Sequence, residues 1–147
     1  MTTEKIINEI TSGDSQKVWS SACEIISLGQ EPDRIKPLIP FLTKIKEMTK
    51  GLEMGGAFAS NMRFVHGAIR TIEFYKSEKG CPCSLFGIHD CMDPNKEEAK
   101  GYLKIIDRKL IDERYVDFYI ALCTRCGQKF SIIERDYHYT WWGWTRF

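Results

Sequence analysis

The chain has 147 residues, 43% of them apolar and 28% charged, with a net charge of +1. That length suits one domain or two small ones, and the composition is that of a globular protein. Charge is even along the chain, 11 Lys/Arg against 10 Asp/Glu in residues 1–80 and 10 against 10 in 81–147, which argues against nonspecific binding of nucleic acid through phosphate neutralisation.

The first half reads as helices. Ile6, Ile7 and Ile10 give residues 3–12 a short amphipathic pattern that Gly13 ends. Asp14 or Ser15 can cap a second helix running to about Leu28, with Val18, Trp19, Ala22, Cys23, Ile25 and Ile26 on its apolar face and Gly29 as its stop. After the Gln30–Asp33 turn, Ile35, Leu38, Ile39, Leu42, Ile45 and Met48 predict a third helix. Pro40 lies inside it, which predicts a kink or a later start because proline removes a helical hydrogen bond. A glycine-containing linker, Leu52–Gly56, precedes the longest helical pattern, residues 57–76, with Phe58, Met62, Val65, Ile69, Ile72 and Phe74. In that stretch Ala57, Ala59, Gly67 and Ala68 are small enough to permit close helix approach. Antiparallel helix pairs with proline near a helix start are similar to HEAT or armadillo-like repeats; a small irregular bundle is the other reading.

Composition changes at Ser77–Gly80, which divides a helical part, 1–78, from a module at 79–147, expected to form one continuous unit. Asp93 and Pro94 predict a cap and first position for a short helix over 95–100. Strands are expected at 102–107, 115–122, 129–134 and 137–147, with a turn at Asp112–Arg114. In the second strand Val116, Phe118 and Ile120 share one face, and Tyr115, Tyr119 and Ala121 the other. The expected fold class is therefore α+β: a helical bundle, HEAT/armadillo-like or irregular, packed on a small antiparallel sheet of zinc-ribbon type.

The cysteines supply the metal reading. Met1–Asn8 has no secretory apolar run, and no stretch nears the roughly 18 apolar residues of a membrane helix, so a cytoplasmic location with no membrane partner is expected. In a reducing cytosol six cysteines bind metal or fill a core more readily than they form disulfides. Cys123-Thr124-Arg125-Cys126-Gly127 aims two thiolates the same way, and its turn can donate backbone N–H groups to sulfur. Cys81-Pro82-Cys83 is the best second pair; His89 or Cys91 could replace one of its members. Cys81, Cys83, Cys123 and Cys126 would hold a structural Zn²⁺, since four sulfurs leave no position for water. A redox role for the knuckle is disfavoured because it lies between strands and not at a helix start. Cys23 belongs to the helical core pattern.

Catalytic patterns are thin. Histidines number three, and no phosphate loop, HExxH or GxSxG occurs. His138 with Glu134 or Asp136 is the one conceivable acid–base pair, and His66 reads as an ordinary helical histidine, so no enzyme activity is expected. The tract Tyr137-His138-Tyr139-Thr140-Trp141-Trp142-Gly143-Trp144 can seal a core with alternate rings or present them to a partner.

The pattern Cys81-x-Cys83, Tyr115-x-x-x-Tyr119, Cys123-x-x-Cys126-Gly127, then Glu134-Arg135-x-Tyr137-His138-Tyr139-x-Trp141-Trp142-x-Trp144 resembles that of small bacterial proteins found beside polymorphic toxins. The whole chain resembles an immunity protein of a contact-dependent growth inhibition system. The resemblance implies a protein that binds one cognate toxin domain, often a nuclease, and blocks its active site or substrate surface. It marks no toxin-contacting residues. Because nucleases are commonly basic, acids such as Glu24, Glu31, Asp33, Glu53, Glu73 and Glu78 are expected to contribute. The alternative is a nucleic-acid-binding zinc-ribbon protein that stacks bases on Trp141, Trp142 or Trp144.

Overall fold

A computed structural model describes residues 1–57, 59–77 and 80–147. The fold is α+β, six α-helices followed by a four-stranded antiparallel sheet among the described residues. It divides into two compact units, Met1–Pro82 and Cys83–Phe147.

In the first unit α1 spans Thr3–Ile10 and α2 Ser15–Ser27. Thr2 caps α1 through its hydroxyl and Asp14 caps α2 through its carboxylate, each accepting a backbone N–H that has no helical partner. The third pattern is broken into α3 (Pro32–Ile35), a 3₁₀ turn (Lys36–Phe41) and α4 (Leu42–Thr49). Pro40 accounts for the late start of α4; α3 still buries Ile35 and the tighter 3₁₀ turn Leu38. Met48, expected on the apolar face, is instead 42% exposed, because the 3₁₀ segment resets the helical phase.

Helix α5 runs Met62–Ser77, later than the pattern predicts. The preceding loop folds back on itself: Asn61 N donates to Gly55 O at 2.8 Å, and Asn61 Nδ2 to Met54 O. Gly56 is at φ +128°, where a Cβ would meet the Ala59 carbonyl oxygen at 2.1 Å. Only glycine permits that reversal. Phe58 lies outside the described residues. α5 packs most extensively on α2. Its buried face includes Phe64, Val65, Gly67, Ala68, Thr71, Ile72 and Tyr75, whereas Met62, Ile69 and Phe74 are half-buried. Tyr75 donates its hydroxyl to Gly29 O at 2.6 Å, which satisfies a carbonyl just past the end of α2.

In the second unit α6 spans Pro94–Ala99, with Asp93 as its cap. The strands are β1 (Leu103–Ile111), β2 (Tyr115–Cys123), β3 (Lys129–Tyr137) and β4 (Tyr139–Arg146), in the order β1-β2-β3-β4. β1 is longer than expected because register shifts at Ile105/Asp107 and Lys109/Leu110 break its alternation. Asp112 and Glu113 both take left-handed backbone, with Arg114 N bonded to Ile111 O, and this turn joins β1 to β2. The face of β2 carrying Tyr119, Ala121 and Cys123 is buried with Phe130 and Ile132 of β3. Val116, Phe118, Ile120 and Leu122 on the other face are only half-buried.

Among the described residues no helix is long and apolar enough to cross a membrane.

Candidate metal centre

The knuckle is a tight reversal between β2 and β3. Cys123 N donates to Gln128 O, and Gly127 N to Cys123 O, both at 2.9 Å. Gly127 sits at φ +76°, the conformation this turn needs. Arg125 N lies 3.4 Å from Cys123 Sγ, an N–H···S bond of the kind that stabilises a thiolate. Thr124 anchors the loop by donating its hydroxyl to Gly101 O at 2.8 Å.

The second pair is set by a short 3₁₀ turn, Pro82–Leu85, in which Phe86 N bonds to Cys83 O. Proline fixes φ at the first position of that turn. Folding brings Cys81, Cys83, Cys123 and Cys126 together, with all four sulfurs within 4.8 Å of one another. Cys83 Sγ and Cys126 Sγ are 3.5 Å apart. That is far beyond a disulfide bond of about 2.05 Å. It is close to the roughly 3.8 Å edge of a tetrahedron with Zn–S bonds of about 2.3 Å. Cys83 and Cys123 are buried, Cys81 is half-buried and Cys126 is exposed. The donor set fits a soft or borderline cation, and the spacing fits four-coordination.

His89 and Cys91 stand apart from this set. With Asp90 they form a separate group whose ligand atoms also lie within 4.8 Å of one another. His89 Nδ1 accepts from Cys91 N at 2.9 Å. Cys23 is half-buried on α2, less enclosed than its helical pattern predicts.

The aromatic tract serves both faces of the sheet. Trp144 stacks on Phe86 at 5.1 Å and meets Phe130 edge-on, and its Nε1 donates to Met92 O at 3.0 Å. Trp142 Nε1 donates to Glu134 Oε1 at 2.8 Å, an oxygen that also accepts from Tyr119 OH. Glu134 thus anchors two buried-face rings. Asn95 Nδ2 reaches Tyr119 OH, and Arg108 reaches Asn95 Oδ1, extending the network to α6 and β1. Sequence reasoning did not connect Glu134 to Tyr119 and Trp142. The signal was present, because position 134 shares a sheet face with 119 and 142 by period-2 alternation and antiparallel register. His138 occupies the β3–β4 turn at φ +65°, exposed, its ring 4.3 Å from that of Tyr137. His66 is exposed on α5.

Compared with known proteins, the chain matches no family model, no curated protein and no solved structure.

Proposed function

We propose that the four cysteines hold one structural Zn²⁺ and that the protein is a cytoplasmic immunity protein. In this reading it neutralises a cognate bacterial toxin domain, a nuclease by class, through a tight protein–protein complex. The observation that carries the scaffold half is the closed four-sulfur cluster. Four thiolates leave the metal no position for water or substrate, so it stabilises a fold and performs no chemistry. The module around it reads as zinc-ribbon-like, with the knuckle between β2 and β3, and the antiparallel helices as HEAT-like pairs.

The partner half is supported by the sequence resemblance and by the surface. Leu110, Ile111, Tyr115 and Tyr137 are 46–72% exposed at the turn ends of the two hairpins. Apolar and tyrosine side chains of this kind are what a protein partner covers. Of the acids expected to face a basic toxin, Asp33 and Glu53 are exposed. Glu24 pairs with the N-terminal amine and Glu73 with Lys46, while Glu78 lies outside the described residues.

Native mass spectrometry of the protein with its neighbouring gene product tests both halves. One zinc per chain and a 1:1 complex are expected. One zinc without a complex, together with salt-sensitive retention of nucleic acid, would replace the toxin reading with the nucleic-acid one. A protein that purifies without metal and is unchanged by added zinc would remove the scaffold reading.

A further inference from the structure

The four clustered sulfurs differ in exposure. Cys83 is fully buried and Cys123 is 3% exposed, Cys81 is half-buried, and Cys126 alone of the four stands in solvent. Cys126 Sγ is 3.5 Å from Cys83 Sγ, so an open sulfur touches an enclosed one. Both belong to the Cys83–Phe147 unit. Each sits on a turn closed by backbone bonds. Phe86 N donates to Cys83 O at 3.1 Å, and Gly127 N donates to Cys123 O at 2.9 Å around the turn that carries Cys126. The contact therefore joins two fixed points of the fold. A sulfur–sulfur bond of about 2.05 Å needs a closure of about 1.5 Å from this distance, which side-chain rotation supplies.

We infer that Cys126 and Cys83 are a hydroperoxide-sensitive pair, in which Cys126 is oxidised first and Cys83 closes the disulfide. A redox-responsive site needs an accessible sulfur and a resolving thiol beside it, and this pair supplies one of each. The Cys126 sulfur attacks a hydroperoxide. An S–O bond forms, the O–O bond breaks, and the alcohol, or water when the oxidant is hydrogen peroxide, leaves with a proton. Cys83 Sγ then attacks the Cys126 sulfur. An S–S bond forms, the S–O bond breaks, and water leaves. The two sulfurs have lost two electrons and two protons, and the hydroperoxide has taken both. Cys123 is the poorer resolving thiol, because its sulfur accepts the Arg125 N–H at 3.4 Å, which draws on the lone pairs an attack would use. The bond thus joins the knuckle to the 3₁₀ turn and does not close within the Cys-x-x-Cys. Its consequence, though not the pairing, rests on the structural-zinc reading: Cys81 and Cys123 remain as two ligands of four, so oxidation releases the metal.

Hydrogen peroxide is the probe. The purified protein is treated with a small excess at pH 7, quenched with catalase, alkylated, digested without reductant and mapped by mass spectrometry, while a chromogenic chelator reads released zinc. A Cys83–Cys126 disulfide is expected, with zinc released in step with it, and dithiothreitol with added zinc should reverse both. Cys126→Ser should leave Cys83 reduced at a dose that converts the wild type fully. That substitution also removes a ligand, so the wild-type map decides the matter if the variant fails to fold. A Cys123–Cys126 bond in place of the expected one would overturn the pair. So would sulfinic acid at Cys126 with Cys83 still reduced, or oxidation confined to Cys91, the other exposed cysteine. Zinc retained at full dose with no disulfide removes the pair and leaves the scaffold reading standing. The disulfide formed in a protein that never held zinc upholds the pair and removes the scaffold reading.

Discussion

Tyr119 is 2% exposed, and its hydroxyl donates to Glu134 Oε1 at 2.7 Å and accepts from Asn95 Nδ2 at 3.2 Å. Burial disfavours the phenolate most strongly; the Asn95 bond opposes that, while the Glu134 acceptor and its charge reinforce it, and the phenol is pushed up to about 12. The folded state therefore holds this proton more tightly than the unfolded state. Its contribution is fully present below about pH 10 and is lost as pH rises through about 12. Absorbance titration should show one of the six tyrosines ionising near pH 12, with Glu134→Gln bringing it down. A single common midpoint near 10 for all phenols would contradict the network. Gly87 is the other position where one residue decides the local structure. Gly87→Ala adds backbone strain at positive φ to a clash with Trp144, neither of which an end-of-chain rotation can relieve. A loss of roughly 2 kcal/mol or more is expected in denaturant unfolding. Gly13→Ala shares the strain (φ +76°) but has open space around it, so it should cost less.

At the scale of elements, hydrophobic spacing and caps located the helices where local chemistry and core agree. Asp14, read as a possible cap, accepts Lys17 N at 3.0 Å in the structure. Asp14→Ala should destabilise the first unit by about 1 kcal/mol, whereas Asp14→Ser should be nearly neutral; equal losses for both would mean that the carboxylate acts through something other than capping. Spacing failed where polar residues join the core. Ser21, Thr49 and Thr71 are buried because each hydroxyl donates to the carbonyl four residues back, at 2.9, 2.7 and 2.8 Å, and an apolar count does not see such side chains. It failed again at residues 57 and 59–61, where the Gly55–Gly56 reversal overrides the helical pattern, and in β1, where two register shifts hide the alternation. In β2 both face sets were legible, but not which one is buried: the apolar Val116–Phe118–Ile120 set looks like the core face, yet the core takes Tyr119, Ala121 and Cys123. Tyr119 can go inside because Glu134 and Asn95 satisfy its hydroxyl.

At the scale of the molecule, the cysteine pairs were legible as candidate ligands because thiolate spacing is a local property, and folding brings them together across 39 intervening residues. The docking of the Asp90 loop on β4 was not legible, since Trp142 N and Tyr139 OH reach Asp90 from a strand some fifty residues later in the chain. The two units have separate cores, isoleucine-rich in Met1–Pro82 and built on Phe86, Leu103, Phe130 and Ile132 in Cys83–Phe147. A unit of the second one's size has a net stability of only about 3–10 kcal/mol at the usual 0.05–0.15 kcal/mol per residue. Structural zinc contributes apparent binding free energies of about 10–16 kcal/mol. Removing such a metal should therefore unfold the sheet unit and leave the helices standing. Treatment with a strong chelator at pH 7 should abolish the near-ultraviolet dichroism of the packed Trp144–Phe86–Phe130 cluster and open Cys83 and Cys123 to thiol reagents, while the far-ultraviolet helical signal persists. Cys123→Ser should reproduce that state without chelator. An unchanged near-ultraviolet spectrum after complete metal removal would mean that aromatic packing alone holds the sheet, and the four sulfurs would then be neighbours without a structural task.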